Sequence, residues 1–269
     1  MERSIITVKS MSFKYDNSYI FKDFDLDINP GTFVSIIGKN GSGKSTLAKI
    51  LIGLYQASGY ITIDGYLLNN FFLKKIRRIF SVCFDNADDH FIGETVKDDL
   101  AFSLENLEYS KEEIECNINF ISKKFKIDNI LEKAPDELTN SEKEKVMIAS
   151  SLIHNPKILL LDESIHKLNA SDKKLVFKIL KEYQEEQKLT IILITHNLED
   201  TLYADRIIVL DKGKISFDNI KEEIYKDDKL ERMGFKLPFI VKLSHNLMLY
   251  NLIDKIYFDE KDLVNRLWQ

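Results

Sequence analysis

Apolar and polar positions alternate in short segments through residues 5–28: Ile5-Ile6-Thr7-Val8, then Met11-Ser12-Phe13-Lys14-Tyr15, then Phe21 to Ile28. Neighbouring side chains on a strand face opposite ways, so this period of two predicts antiparallel strands turning at Asp16-Asn17-Ser18. Gly59-Tyr60-Ile61-Thr62-Ile63-Asp64-Gly65 predicts another strand closed by an Asp-Gly turn, and Arg78 to Phe84 a buried one. Elsewhere the apolar runs are nearly continuous: Phe33-Val34-Ser35-Ile36-Ile37, Lys157 to Asp162, and Leu189 to Ile194. Such runs fit a parallel sheet covered on both faces. Residues 95–150 change to helical spacing, broken at Pro135, and a helix over Ala170 to Gln187 completes a βαβ unit. Arg206 to Leu210 and Lys214 to Phe217, joined through Asp211-Lys212-Gly213, predict a closing hairpin. A charged stretch from Lys221 to Glu231 then leads into a tail, and Phe71-Phe72 beside Lys74-Lys75 fits either a face turned to a protein partner or, as the commoner outcome, a solvated helix with a core-facing aromatic.

One junction in this pattern carries chemistry. Between the apolar run at 33–37 and the amphipathic run Leu47 to Ile52 lies Gly38-Lys39-Asn40-Gly41-Ser42-Gly43-Lys44-Ser45-Thr46, which satisfies G-x-x-x-x-G-K-S. Glycines let successive backbone N–H groups turn inward around a phosphate, and the helix N-terminus adds partial positive charge. Lys44 is then placed for the β- and γ-phosphates, and the Ser45 hydroxyl for Mg²⁺. Strand, loop and helix together predict a nucleoside triphosphate site in an α/β P-loop fold. A second junction matches it: Ile158-Leu159-Leu160-Leu161 delivers Asp162 and Glu163 at a strand's end, the edge where α/β sheets bind ligands. Asp162 is the candidate Mg²⁺ ligand and Glu163 the candidate catalytic group that polarises the attacking water. Leu193-Ile194-Thr195 likewise ends in His196, a candidate γ-phosphate contact whose weight depends on its company.

Composition narrows the partners. The formal net charge of −5 supplies no overall basic field for nucleic acid. Cys83 and Cys116 lie far apart with no CxxC or Cys/His cluster, which argues against a disulfide or zinc and for a reducing compartment. Met1-Glu2-Arg3-Ser4 does not open a signal peptide, and no apolar run reaches the roughly 18–20 residues that span a bilayer. Any membrane role is therefore expected to come through a partner.

In order and spacing, residues 5 to about 217 resemble the nucleotide-binding subunit of an ABC transporter, with Tyr15 matching the aromatic that stacks on adenine. Phe91-Ile92-Gly93-Glu94-Thr95-Val96-Lys97-Asp98-Asp99-Leu100-Ala101-Phe102 and Glu105-Asn106 resemble the energy-coupling factor (ECF) ATPases more narrowly. So do Gly234-Phe235-Lys236-Leu237-Pro238-Phe239-Ile240-Val241-Lys242-Leu243 and Asp262-Leu263-Val264-Asn265. The resemblance implies an ABC cassette with a RecA-like core, an antiparallel β subdomain and a helical subdomain at about 92–155. It places the ATPase domain at 1–217 and a C-terminal dimerisation or accessory extension at 218–269, although an extra helical hairpin packed on its own chain would fit that extension as well. It further implies an ATPase using ATP and Mg²⁺, peripheral to the cytoplasmic face of the cell membrane. Its partners would be a second ABC ATPase subunit in a heterodimer, a membrane scaffold protein and a membrane-embedded substrate-binding component for a vitamin or other micronutrient.

Three departures from that family matter. Where the family signature reads Leu-Ser-Gly-Gly-Gln, this chain has Leu138-Thr139-Asn140-Ser141-Glu142. Thr139 keeps a hydroxyl, both glycines are gone, and Glu142 brings a carboxylate towards the partner's γ-phosphate. At about 6 Å and an effective dielectric of about 20, one like-charge pair costs on the order of 3 kcal/mol. The spacing of Ser141 and Glu144 predicts a capping box starting a helix from Lys145 to His154. The family's Q-loop glutamine aligns with Asp85, a third candidate Mg²⁺ ligand, which cannot donate a hydrogen bond when ionised. The loop after the acidic pair reads Ser164-Ile165-His166-Lys167-Leu168-Asn169, with Asn169 in place of the family's aspartate. This chain's own P-loop half is thus nearly intact, while what it donates to a partner's site is degraded. Two other readings are weaker. A soluble, non-transport ABC ATPase usually carries two cassettes or long arms, and neither is present. A nucleotide-binding structural subunit is favoured by the signature and opposed by Glu163 and His196.

Overall fold

The computed structural model describes residues 4–85, 90–226 and 228–268; the Met1-Glu2-Arg3 start lies outside them. Two long strands open the chain, β1 (Ile6–Tyr15) and β2 (Ser18–Ile28), paired antiparallel. The alternation predicts shorter segments there because the pattern slips at Lys9-Ser10. The ladder instead continues through a register shift between Val8 and Met11, with Ser10 at φ 49°, as a bulge does. After β3 (Phe33–Gly38) and α1 (Lys44–Leu51), β4 (Ser58–Ile63) pairs with β1. Asp64 and Gly65, both at positive φ, turn the chain into the short β5 (Tyr66–Leu67), giving a sheet ordered β2-β1-β4-β5.

Helix α2 (Leu73–Ile79) precedes β6 (Phe80–Cys83). The strand predicted from Arg78 therefore starts two residues later. Its ladder to β7 (Ile158–Asp162) begins at Phe80↔Ile158, and Arg77 and Arg78 serve the last turn of α2, where basic side chains favour the helix end. Phe72 is half-buried against the neighbouring core, whereas Phe71 is 82% exposed, so only one of the aromatic pair faces inward. The helices α3 (Val96–Glu105), α4 (Lys111–Phe125) and α5 (Asn140–Leu152) follow, with a 3-10 turn at Pro135–Glu137 where the helical pattern breaks. Helix α6 (Ala170–Gln187) joins β7 to β8 (Thr190–Thr195), and β9 (Arg206–Asp211) forms a hairpin with β10 (Lys214–Ile220).

These strands make a six-stranded sheet ordered β10-β9-β3-β8-β7-β6, parallel except for β10. Its continuous apolar strands feed two cores. Leu159, Leu161, Ile191 and Leu193 pack beneath the helical layer, while Leu160, Ile192 and Ile194 pack beneath α1 and the antiparallel sheet. A third core forms where Ile37, Ile207 and Val209 are covered by Tyr225, Leu230, Leu237 and Val241. The C-terminal segment, with α7 (Lys221–Ile224), α8 (Lys229–Arg232), α9 (Phe239–Leu249) and α10 (Glu260–Leu267), thus packs on its own chain. Parallel register places Gly38, Asp162 and Thr195 together at the carboxyl edge of the sheet.

Candidate functional site

At that edge the glycine-rich loop wraps the N-terminus of α1. Gly43 is the N-cap, at φ 107°, and a Cβ there would come within 2.7 Å of the Phe21 ring. Gly41, at φ 77°, faces open space, so it is needed for backbone conformation alone. The Lys44 ammonium reaches the carbonyls of Gly38 (2.8 Å) and Lys39 (3.3 Å). Burial lowers its pKa, opposed by the charges of Glu163 and Asp162. Asn40 and Thr46 complete the loop. The Ser42 hydroxyl is buried without a hydrogen-bond partner, which fits a cradle built to hold an oxyanion. Tyr15 is packed edge-on against Phe13 (5.0 Å) and Tyr55 (5.7 Å) and is 42% exposed.

The acidic pair divides into two roles. Ser45 Oγ donates to Asp162 Oδ1 at 3.3 Å. Burial pushes the Asp162 carboxyl up to about 6, against the Ser45 hydrogen bond. A hydroxyl and a carboxylate so placed are hard oxygen donors, the donor set for a magnesium ion whose remaining ligands are phosphate and water. No group of three or more His, Cys, Asp or Glu residues suited to a metal occurs among the described residues. Glu163 sits at φ 55°, a left-handed conformation unusual for a non-glycine residue, while its N–H donates to Ile194 O at 3.0 Å. The sharp turn aims its carboxylate away from the sheet to accept from His196 Nδ1 at 2.7 Å. His196 also lines a cavity of about 540 Å³, together with His166, Lys173, Glu199 and Lys236. A larger groove of about 740 Å³, between α6 and the C-terminal segment, contains none of this chemistry.

The signature stretch departs from expectation in its register. Thr139, and not Ser141, is the N-cap: its Oγ1 accepts from Glu142 N at 3.3 Å, and Glu142 Oε2 accepts from Thr139 N and Oγ1, both at 2.8 Å. Helix α5 therefore begins at Asn140, directly after Thr139, rather than at Lys145. Those hydrogen bonds, the backbone one first, lower the Glu142 pKa. Leu138 is buried beneath the turn. Ser141 Oγ instead donates to Asp172 Oδ2 (2.6 Å) and accepts from Asn169 N and Nδ2 (3.1 Å each). Glu144, the other half of the predicted box, is fully buried and accepts from Lys167 N. Tertiary partners on the loop after Glu163 decided between two overlapping capping frames.

Asp85 follows β6, which pairs in parallel with β7 up to Cys83↔Leu161. Its carboxylate lies 3.4 Å from His166 Nε2. The pattern of residues singled out the loop that carries His166 without saying what the imidazole meets, and it gave no sign of Asp172 or of Gly213, the latter arriving from the β9–β10 turn. Gly213 donates its N–H to Ser42 O at 3.0 Å, and a Cβ there would strike the Ile20 carbonyl. The hairpin signal at 211–213 predicts the turn and says nothing of what it touches.

Residues 21–166 match the family model described as ABC transporter. The chain is 37% identical over 271 residues to the energy-coupling factor transporter ATP-binding protein EcfA1 of Ligilactobacillus salivarius, covering 99% of this chain and 96% of that protein. It is 34% identical to the EcfA1 of Geobacillus kaustophilus, covering 100% and 98%. Among solved structures it resembles cbiO1 from Clostridium perfringens, described as part of the ABC transporter complex cbiONQ. There the TM-score is 0.78 at 26% identity, over 91% of this chain and 100% of that one. The ATP-binding cassette MJ0796, solved as a dimer bound to ADP and Pi, matches with TM-score 0.73 at 27% identity, over 80% and 98%. With the loop, the acidic strand end and its histidine assembled on one edge of this fold, the chain belongs to the energy-coupling factor transporter ATP-binding proteins and is an ABC ATPase.

Proposed function

We propose that the chain is one half of an asymmetric ATPase heterodimer at the cytoplasmic face of the cell membrane. It would power uptake of a vitamin or other micronutrient through a membrane scaffold protein and a membrane-embedded substrate-binding component. No helix among the described residues is long and apolar enough to cross a membrane, so partners would supply the path. ATP would lie on the residue 38–46 loop, with Tyr15 against the base, backbone amides and Lys44 on the phosphates, and Ser45, Asp162 and Asp85 holding Mg²⁺. Magnesium, when bound, draws negative charge from the phosphates. Glu163 orients the attacking water, and His196, held by Glu163, faces the γ-phosphate.

One observation carries the asymmetry: the N-terminus of α5 is closed by its own carboxylate, Glu142, while the Glu163–His196 pair is made. An anion-binding helix end already occupied by an anion repels a partner's γ-phosphate. The site on this P-loop therefore turns over with an intact partner signature, and the site completed by this chain's signature is slow. The test is ATPase activity of this chain alone and mixed with its neighbouring cassette subunit. Activity only in the mixture, with ATP trapped and unhydrolysed in Glu163→Gln, is the expected result. A mixture that binds ATP, stays inactive and is indifferent to Glu163→Gln would make the chain a nucleotide-gated structural partner. Restoring Ser-Gly-Gly-Gln at 139–142 should raise the pair's kcat, about twofold if both sites then run equally; an unchanged kcat sinks the asymmetry.

A further inference from the structure

Two of the departures from the family pattern, in the Q-loop and in the loop after Glu163, meet in space. His166 Nδ1 is hydrogen-bonded to the main-chain carbonyl of Glu163, and its Nε2 lies 3.4 Å from Asp85 Oδ1. Behind the ring, 3.8 Å from Nδ1, stands a carboxylate oxygen of buried Glu144, which itself binds Lys167 N. One imidazole therefore joins three elements: the turn that carries Glu163, the segment after β6, and helix α5. Each joint falls on a group that has reason to need holding. Glu163 stands at φ 55°, a conformation that persists only where surroundings enforce it. Asp85 follows the end of β6, its side chain 66% accessible, and among the described residues His166 is the side chain it pairs with.

We propose that His166, with an N–H on each ring nitrogen, is a positioning residue for the nucleotide–metal site, donating to the Glu163 carbonyl and towards Asp85 and so holding both in one arrangement. The family's glutamine at the place of Asp85 has no carboxylate for an imidazole to pair with; Asp85 does. A ligating carboxylate whose second oxygen is anchored keeps its direction, and loss of such an anchor typically weakens metal affinity by about 10–100-fold. The inference rests on the reading of Asp85 as a metal ligand, and the experiment separates the two.

Binding of a fluorescent ATP analogue (MANT-ATP) to the full chain is titrated with Mg²⁺, beside Mg²⁺-free MANT-ADP binding as a control for the loop. His166→Ala should raise the Mg²⁺ concentration for half-maximal binding about tenfold. Asp85→Ala should do the same, and the double variant should be no worse than either, because the two act as one unit. His166→Gln, whose amide can take the place of Nε2 towards Asp85, should recover most of the loss. Mg²⁺-free MANT-ADP binding should be unchanged in all four variants. If Asp85→Ala alone leaves the Mg²⁺ dependence unmoved, the metal reading of Asp85 fails and the inference with it. If Asp85→Ala shifts it and His166→Ala does not, or if the two shifts multiply in the double variant, the positioning role is overturned while the metal reading stands. A fall in Mg²⁺-free MANT-ADP binding in His166→Ala would mean a general structural role and also overturns it.

Discussion

Gly43 shows how narrowly single positions are constrained around the phosphate cradle. Its φ of 107° and the 2.7 Å approach of the Phe21 ring leave a methyl group no room. Gly43→Ala should abolish binding of MANT-ATP while the far-UV circular dichroism stays native; retained binding would mean the loop re-forms around the methyl. The cysteines are a second case. Burial pushes the Cys83 thiol up to about 12, and Cys116 is exposed. Native protein should therefore titrate one thiol rapidly with an aromatic disulfide reagent and the second only in denaturant. At Glu144 the sign of a pH effect is fixed by burial, which raises its carboxyl to about 7 against the Lys167 hydrogen bond. A raised carboxyl pKa means the folded state loses stability as pH climbs from the unfolded value near 4.5 through about 7. Glu144→Gln should accordingly raise Tm more at pH 8 than at pH 5, and an equal change at both would contradict the burial argument.

At the scale of elements, α5 separates capping from catalysis. Thr139→Ala removes the side-chain acceptor for Glu142 N and should cost about 1 kcal/mol in urea unfolding. Glu142→Gln keeps the reciprocal hydrogen bond to Thr139 N but removes the charge, so stability should hold while turnover of the heterodimer rises; a stability loss equal to that of Thr139→Ala would show that the charge itself serves the cap. This helix also marks where reading the residues alone stops. The P-loop and the acidic strand end were legible because their chemistry lies in contiguous residues whose spacing is the function. Thr139-x-x-Glu142 and Ser141-x-x-Glu144 are both capping frames, and choosing between them needs Lys167 and Asp172, which reach α5 only through the tertiary fold. The bulge at Ser10 and the His166–Asp85 contact were hidden for a like reason: one interrupts a period without ending the strand, the other joins loops from different strands.

At the scale of the whole molecule, the C-terminal segment is structural before it is anything else. Ile37, Ile207 and Val209 are fully buried beneath it, and Tyr225 has no exposed surface. A chain ending at Ile220 should expose that apolar face and aggregate or melt well below the full chain; a soluble truncation with unchanged Tm would refute the shared core. The Gly213–Ser42 hydrogen bond, a small brace in the folded protein, has a further consequence during synthesis. Strand β3 lies between β8 and β9, and the loop that follows it is held by a turn some 170 residues downstream. A ribosome that has made the phosphate-binding sequence has not yet made either neighbour of its strand, so the nascent chain carries an unpaired apolar edge through most of its translation. Nucleotide can first be gripped only as the last fifth of the protein emerges, which makes ATP capture a report that the sheet has closed.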